Sequence, residues 1–191
     1  MFGLLVTINL KMIKFLILFV VLTNNLISAQ EKDSLLNEIR RNYSEIRAQL
    51  DSYETTKIEI RGQSAEGGQA TAYYSVTEIK LIEVVLLGES GKKHIEYYFN
   101  DGELIFAFEQ NFTYNRPVYK NENIDKENEK NEVFDYKKTI IKEDRYYFEN
   151  EKLFLWLDNN KLEQDLTIES RFCLENRIIA HCYKLMHKLE P

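Results

Sequence analysis

One pattern of fifteen residues occurs twice in the chain, and it constrains the fold more than any other feature. IEYYFNDGELIFAFE at residues 95–109 aligns without a gap on DRYYFENEKLFLWLD at residues 144–158, and Tyr146 follows Tyr97 by 146 − 97 = 49 residues. Each copy reads as a strand, a turn and a second strand, which is the pattern of a β-hairpin. A weaker echo occurs at Tyr73 and Tyr74. The duplication therefore predicts a sheet built by reusing one hairpin.

Turn signals divide the middle of the chain into further strands. The Asn-Asp-Gly sequence at residues 100–102 favours a two-residue hairpin loop, because Asp-Gly readily adopts the positive φ angles that such a loop requires. A second turn is predicted for Gly-Glu-Ser-Gly at residues 88–91. Alternating stretches at residues 55–61, 71–76 and 78–87 are typical of strands. These signals predict an antiparallel meander of about six to eight strands.

A helix is predicted on each side of the strand region. Residues 33–53 and 162–189 carry apolar side chains three and four positions apart, which is the spacing of an amphipathic helix. Asp33 or Ser34 can cap the first helix. Helices beside an antiparallel sheet make an α+β fold. The apolar positions are Leu36, Ile39, Tyr43, Ile46, Leu50 and Tyr53 in the first helix, and Phe172, Ile179, Cys182, Tyr183, Met186 and Leu189 in the second.

The amino terminus is typical of a bacterial signal peptide. Lys14 precedes the apolar run FLILFVV at residues 15–21, and small and polar residues follow up to Ala29 and Gln30. This order predicts a signal peptide at residues 1–29, a single domain at residues 30–191 and a periplasmic or secreted protein with no membrane span after cleavage. A compact signal could also begin at Met12 instead of Met1. An uncleaved membrane anchor is the alternative reading.

The charge distribution excludes one class of partner. All 31 acidic residues follow residue 29, whereas two of the 25 basic residues precede it, so the exported chain has a formal charge of 23 − 31 = −8. A surface this acidic repels phosphate and argues against nucleic-acid binding. Asparagine and charge dominate residues 111–132, which predicts a mobile, solvated loop, with a short exposed helix as the alternative.

No catalytic, metal or cofactor site is predicted from the sequence. His181 and His187 are six residues apart in the last helix and do not share a face, and His94 lies alone in a strand. Cys173 and Cys182 are about 13 Å apart if one helix contains both, because each residue rises 1.5 Å. A disulfide needs roughly 4.4–6.8 Å. Two free thiols are therefore favoured, and a broken helix with a disulfide is the alternative.

Aromatic side chains supply the candidate ligand-binding residues. Alternation along a strand places Tyr97 and Phe99 on one face of the sheet and Tyr98 on the other, and the pattern repeats at residues 146–148. In the following strand it places Leu153, Leu155 and Leu157 on the face opposite Phe154 and Trp156. Both sheet faces are therefore apolar, and one is either covered by the second helix and the loop or is an exposed aromatic platform. The candidate platform residues are Tyr98, Tyr147 and Trp156.

The repeated hairpins resemble a group of exported bacterial proteins of unknown function. The resemblance lies in EGGQATAYY at residues 66–74, GESGKKHIEYYFNDGELIFAFE at residues 88–109 and RYYFENEKLFLWLDNN at residues 145–160, and thus in a YYF-x-[ND]-x-x-L cadence. It covers most of the exported chain and implies the fold but no activity. The cadence also distantly resembles MORN-type hairpin repeats, whose regular glycines this chain lacks.

These features favour an exported, non-enzymatic binding or interaction module. Its partner is a protein, a peptide, a glycan or a second copy of the chain, and binding predicts a contiguous apolar patch. One alternative is an extracytoplasmic hydrolase acting on glycan or peptide, which predicts a pocket with two close carboxylates or a histidine beside an acid. A second alternative is a structural component of the envelope that assembles through a sheet edge.

Overall fold

The computed structural model describes residues 30–118, 134–165 and 167–189 of the 191 residues. Contacts divide the chain into two compact units, Met1–Arg41 and Asn42–Pro191. The predicted signal peptide and residues 119–132 of the predicted loop lie outside the described residues. Within the described ranges, no helix combines the length and the apolar character needed to cross a bilayer.

The second unit contains one antiparallel sheet. Its seven strands lie side by side in chain order, and each pairs with the next. Helix α1 covers residues 30–48 and ends within this unit, and a long helix α2 follows the last strand. The predicted α+β meander is confirmed. The strands are β1 (Glu54–Ile60), β2 (Gly68–Ser75), β3 (Glu78–Gly88), β4 (Gly91–Asn100), β5 (Glu103–Thr113), β6 (Ile140–Glu149) and β7 (Lys152–Leu157), and α2 is Ile168–Leu189.

Three hairpins of this sheet share one pairing pattern. In β2–β3, β4–β5 and β6–β7, two turn residues separate the last paired positions. Beyond the turn, two residue pairs form before the register shifts by one residue. The Tyr-Tyr echo at residues 73–74 is therefore a third copy of the duplicated hairpin. The register shifts lie between Tyr73 and Tyr74, between Tyr98 and Phe99, and between Tyr147 and Phe148.

The register shifts correct the predicted alternation in β7. Phe148 pairs with Leu153 and Tyr147 pairs with Leu155, so Phe154 is the extra residue of a bulge. Leu153 therefore lies in the core cluster with α2, whereas Leu155 lies beside Tyr147 on the other face. The prediction that Leu153 and Leu155 share a face was wrong, because strict alternation holds only where no residue is inserted.

Helix α2 covers one face of the sheet with an apolar stripe that includes the predicted residues Ile179, Cys182, Met186 and Leu189. Ile178, Cys182, Leu185 and Leu189 are its buried apolar residues, and they belong to the core cluster. Phe172 is 62% exposed and lies outside this stripe, which corrects its assignment to the apolar face. Both cysteines are free thiols within α2, Cys173 exposed and Cys182 buried. Burial raises the pKa of the Cys182 thiol.

Two predicted boundaries differ from the structure. Helix α1 is already regular at residue 30, so Asp33 and Ser34 lie inside it and do not cap it. Strand β5 continues to Thr113, so the predicted mobile loop does not begin at residue 111. The backbone N–H of Tyr114 donates to the carbonyl oxygen of Ser90 at 2.9 Å, which fastens the chain to the β3–β4 turn. The β5–β6 ladder, which pairs Thr113 with Ile140, extends the strand beyond its apolar pattern.

Candidate functional site

The sheet face opposite α2 is organised as four rows of side chains that cross β3 to β6. The register aligns one residue from each of the four strands in every row. The rows change from buried and aromatic, near the repeated turns, to partly exposed at the other end of the strands. They are Leu81–Tyr98–Phe106–Tyr147, Glu83–Glu96–Phe108–Arg145, Val85–His94–Gln110–Glu143 and Leu87–Lys92–Phe112–Ile141.

The first row contains two of the predicted platform residues, and both are buried. Tyr98 is 0% exposed and Tyr147 is 7% exposed. Phe106 separates them, with ring centroids 5.6 Å from Tyr98 and 4.9 Å from Tyr147. Tyr43 of α1 packs on Tyr98 at 5.0 Å. The rings form a continuous row of tilted contacts, a geometry that stabilises aromatic cores.

The third platform residue lies on the other face of the sheet. Trp156 pairs with Tyr146, and their rings stack at 5.9 Å. Its indole N–H donates to Asp144 Oδ1 at 2.8 Å. The structure therefore brings Tyr98 and Tyr147 into one aromatic row and separates Trp156 from both. The three do not make one exposed platform, and ligand binding by any of them stays a prediction.

The second row contains two acidic residues that face each other across β3 and β4. Arg47 of α1 bridges them: Nη1 lies 3.2 Å from Glu83 Oε1, and Nη2 donates to Glu96 Oε1. Burial alone would lower the pKa of Arg47, but Tyr98 and Glu96 raise it above its usual value. Glu96 is 3% exposed. The guanidinium thus neutralises part of a like-charge pair, with Glu96 buried and Glu83 partly exposed, that would otherwise be destabilising.

Tyrosine hydroxyls hold the remaining carboxylate oxygens of this row. Tyr73 donates to Glu83 Oε2 at 2.7 Å, and Tyr98 donates to Glu96 Oε2 at 2.6 Å. Burial, followed by the hydrogen bond to Glu83, raises the pKa of Tyr73 to about 12. Both hydroxyls therefore remain protonated donors at neutral pH, and both Oε1 atoms point at Arg47.

The third row contains a histidine oriented by a chain of hydrogen bonds. Gln110 Nε2 donates to Glu143 Oε1 at 2.9 Å, which turns Gln110 Oε1 toward His94 Nδ1 at 3.2 Å. Burial works against ionisation of Glu143, but Gln110 and Arg145 outweigh it and lower the pKa of that carboxyl. His94 Nε2 is left 3.8 Å from Glu96 Oε1.

Glu83, His94 and Glu96 together form what we call the carboxylate–histidine cluster. One potential ligand atom from each residue lies within 4.8 Å of the others. Two carboxylates and one imidazole are ligands that divalent transition metals accept. Sequence analysis missed this group. The predicted turn at residues 88–91 was nevertheless a signal for it: if Gly88 pairs with Gly91, the residues five positions away on each strand, Glu83 and Glu96, also pair.

An open groove lies at the β1 end of the sheet. Its volume is about 590 Å³. Gly67 and Gly68 contribute no side chains to its wall, and a Cβ at Gly68 would overlap the carbonyl oxygen of Val85. Two backbone hydrogen bonds hold this wall to β3: the Leu87 N–H donates to the carbonyl oxygen of Gly67 at 2.8 Å, and the Glu66 N–H donates to the carbonyl oxygen of Leu87 at 3.3 Å. The lining residues are Glu59, Ile60, Arg61, Glu66, Gly67, Gly68, Gln69, Val85 and Leu87.

A separate polar network lies at the margin between α2 and the sheet. His181 Nδ1 lies 2.7 Å from the Tyr97 hydroxyl, and its Nε2 lies 3.0 Å from Gln63 Oε1. Burial, with a contribution from Lys93, lowers the pKa of His181. A neutral imidazole that accepts from Tyr97 and donates to Gln63 satisfies both contacts.

The groove and the carboxylate–histidine cluster are close in the sheet register but differ in exposure. Gln69 and Val85 of the groove pair across β2 and β3, and His94 pairs with Val85 on the next strand. The groove is open to solvent, whereas the guanidinium of Arg47 bridges the two carboxylates of the cluster. No known protein family, curated protein or solved structure matches this chain.

Proposed function

We propose that the protein is an exported, non-enzymatic interaction module that binds an extended polypeptide in the groove beside β1. The groove is the observation that carries this proposal. It combines an apolar surface, charged rim residues and an adjoining strand edge, which are the three elements that recognise a peptide in extended form. The signal peptide predicted from the sequence at residues 1–29 is consistent with a partner outside the cytoplasm.

The apolar surface of the groove can accept a side chain. Ile60 and Val85 line the groove, and Leu87 is 42% exposed. Burying a Leu- or Val-sized partner side chain there contributes about 1.5–3 kcal/mol. Such pockets supply the specificity in strand-addition complexes, while backbone hydrogen bonds supply affinity.

The strand edge can supply those backbone hydrogen bonds. β1 is first in the sheet order, and among the described residues no strand pairs with its outer edge. Six of its seven positions are partly or fully exposed, and Ile60 is the buried one. An edge strand with unpaired N–H and C=O groups is a template for a further strand.

The rim charges indicate a partner with basic side chains. Glu59 and Glu66 line the groove with Arg61, and Arg61 lies 2.8 Å from Glu59 in an exposed ion pair. The groove thus has one carboxylate more than it has cations, and the whole chain has a formal charge of −6. A cationic peptide is attracted to such a surface over long range.

The described residues that line the groove contain no histidine, cysteine or serine. Nucleophilic catalysis uses such groups, with a base within hydrogen-bond distance. Binding of an extended peptide also accounts for the apolar surface and the adjoining strand edge, which hydrolysis does not require. The two carboxylates of the cluster lie outside the lining and are bridged by Arg47.

Selection of peptides from a displayed random library on the purified protein tests the proposal. We expect enriched sequences to combine an apolar residue with Lys or Arg, and we expect synthetic copies to bind with saturation in fluorescence anisotropy. Leu87→Asp should weaken binding at least tenfold, because it places a charge on the apolar surface of the groove. Glu66→Lys should weaken binding of the same peptides through like-charge repulsion.

Leu162→Asp is the matched control, because Leu162 is 61% exposed and does not line the groove. It should bind like the unaltered protein. The proposal is refuted if no selected peptide binds with saturation. It is also refuted if Leu87→Asp and Leu162→Asp bind the peptides equally well.

A further inference from the structure

We propose that Glu83, His94 and Glu96 form a binding site for a divalent transition-metal cation, which enters by exchange with the Arg47 guanidinium. This inference goes beyond the peptide-binding groove and does not depend on it. It rests on the convergence of three ligand atoms, on the partner that holds each ligand from behind, and on the charge of the cluster.

The ligand atoms are already close to a coordination geometry. They lie within 4.8 Å of one another, and His94 Nε2 is 3.8 Å from Glu96 Oε1. Zinc bonds of about 2.0–2.2 Å place tetrahedral ligands roughly 3.3 Å apart. Small side-chain rotations therefore bring Glu83, His94 and Glu96 onto one ion, with the fourth position left for water.

Each carboxylate is oriented by a tyrosine. Tyr73 holds the Oε2 atom of Glu83, and Tyr98 holds the Oε2 atom of Glu96. Both Oε1 atoms therefore remain directed at the position that the Arg47 fork occupies. Hydrogen bonds of this kind fix ligand orientation in metal sites.

The imidazole is oriented in the same way. Because Gln110 donates its amide to Glu143, its Oε1 accepts from His94 Nδ1–H. The lone pair of His94 is then on Nε2, which faces Glu96 Oε1 at a distance beyond hydrogen bonding. A histidine lone pair repels a carboxylate oxygen that it faces directly. The same two atoms can both act as ligands when a cation lies between them. The Glu143–Gln110–His94 relay corresponds to the outer hydrogen bonds that support histidine ligands.

The charge of the cluster favours a divalent ion. Two carboxylates and one guanidinium leave a net charge of −1 with a neutral imidazole, and the side chain of Glu96 is 4% exposed. A divalent cation in place of Arg47 brings the sum to zero. Arg47 is 29% exposed on its side chain, so it can turn toward solvent without leaving a buried charge.

Titration of the purified full chain with Zn²⁺ against a coloured chelator tests the site. We expect one Zn²⁺ per chain. His94→Ala should lower the affinity at least tenfold, because it removes a ligand, and Gln110→Leu should lower it about 10- to 100-fold, because it removes the support of that ligand. Arg47→Met should raise the affinity at least tenfold, because the competing cation is gone.

His187→Ala is the matched control, since it removes an exposed histidine on α2 and should not change the affinity. The proposal is overturned if Zn²⁺ does not bind the unaltered protein with saturation, even if it binds Arg47→Met. It is also overturned if His94→Ala and His187→Ala bind alike. Should Arg47→Met fail to fold, the Co²⁺ absorption spectrum decides: its ligand-field bands must be altered by His94→Ala and unaltered by His187→Ala.

The outcome is separable from that of the peptide proposal. Leu87→Asp changes the groove and leaves all three ligands in place, so it should bind Zn²⁺ like the unaltered protein. Loss of peptide binding with intact Zn²⁺ binding, or the reverse, therefore refutes one proposal without the other.

Discussion

Replacing Val76 by glycine should stabilise the protein, although valine is the larger and more apolar residue. Val76 is the first of two residues in the β2–β3 turn, where Ser75 pairs with Glu78, and it has a φ of 63°. This left-handed conformation is unfavourable for a β-branched residue. A hairpin turn with positive φ at its first central position only is of the II′ type, which prefers glycine there.

The size of the effect follows from two opposing terms. The left-handed conformation costs an L-residue about 1–2 kcal/mol, and glycine removes that cost. Glycine also loses more backbone entropy on folding, at about 0.5–1 kcal/mol. Val76 is 92% exposed, so its side chain contributes almost no burial. The net gain in the free energy of unfolding is therefore about 0.5–1 kcal/mol.

Urea unfolding monitored by tryptophan fluorescence measures this gain. The midpoint should rise while the m-value stays constant, because the buried surface is unchanged. Thr77→Gly is the matched control: Thr77 lies next in the same turn but is not among the residues with positive φ, so this change should destabilise by about 0.5–1 kcal/mol. If Val76→Gly destabilised the protein as much as Thr77→Gly does, the assigned turn geometry would be wrong.

Three further predictions concern the ion pairs, the histidine at α2 and one glycine. Arg47→Met should lower the free energy of unfolding by about 2–4 kcal/mol in urea, somewhat less than for a fully buried pair because Arg47 is 29% exposed. A loss below about 0.5 kcal/mol, which is the effect of an ordinary surface substitution, would contradict the bridging role. The lowered pKa of His181 means that the unfolded chain binds its proton more readily, so stability should hold above the unfolded pKa of about 6.5 and decrease as the pH falls through it toward the folded value. Thermal melts should show a weaker decrease in His181→Gln, and an identical pH profile would disprove the assignment. Gly91→Ala should lower the free energy of unfolding in urea by about 3 kcal/mol or more, because the new Cβ would overlap the carbonyl oxygen of Phe112. At Gly102 a Cβ meets no atom, so Gly102→Ala should cost only about 1–2 kcal/mol. Equal losses for the two variants would show that the close approach at Gly91 is absent.

The hairpins could be predicted because their signals are local. The Asn-Asp-Gly turn has the positive φ angles expected of it, 50° at Asp101 and 80° at Gly102. The third copy was only an echo in the sequence, because Val76 and Thr77 replace the usual turn residues. The chain nevertheless adopts the same turn length there, since Tyr74 and Ile79 pair behind it as the matching residues do in the other copies.

The aromatic candidates show where local reasoning ends. Tyr98 and Tyr147 occupy equivalent positions in two hairpins, and the structure does bring them together, with Phe106 between them. Their burial could not be predicted, because it depends on which parts of the chain cover that face, Tyr43 of α1 among them. Trp156 lies on the opposite face because a bulge at Phe154 shifts the alternation by one residue.

The amino-acid sequence by itself determined the strands, the turns and the meander, because alternation and turn chemistry act between residues that are close along the chain. Only the tertiary structure decided that Arg47 meets Glu83 and Glu96, which follow it by 36 and 49 residues. Such meetings depend on strand register and on how a helix packs across a face, and neither is encoded in the periodicity of any one segment. The groove and the carboxylate–histidine cluster both arise at this second level, where distant residues become neighbours.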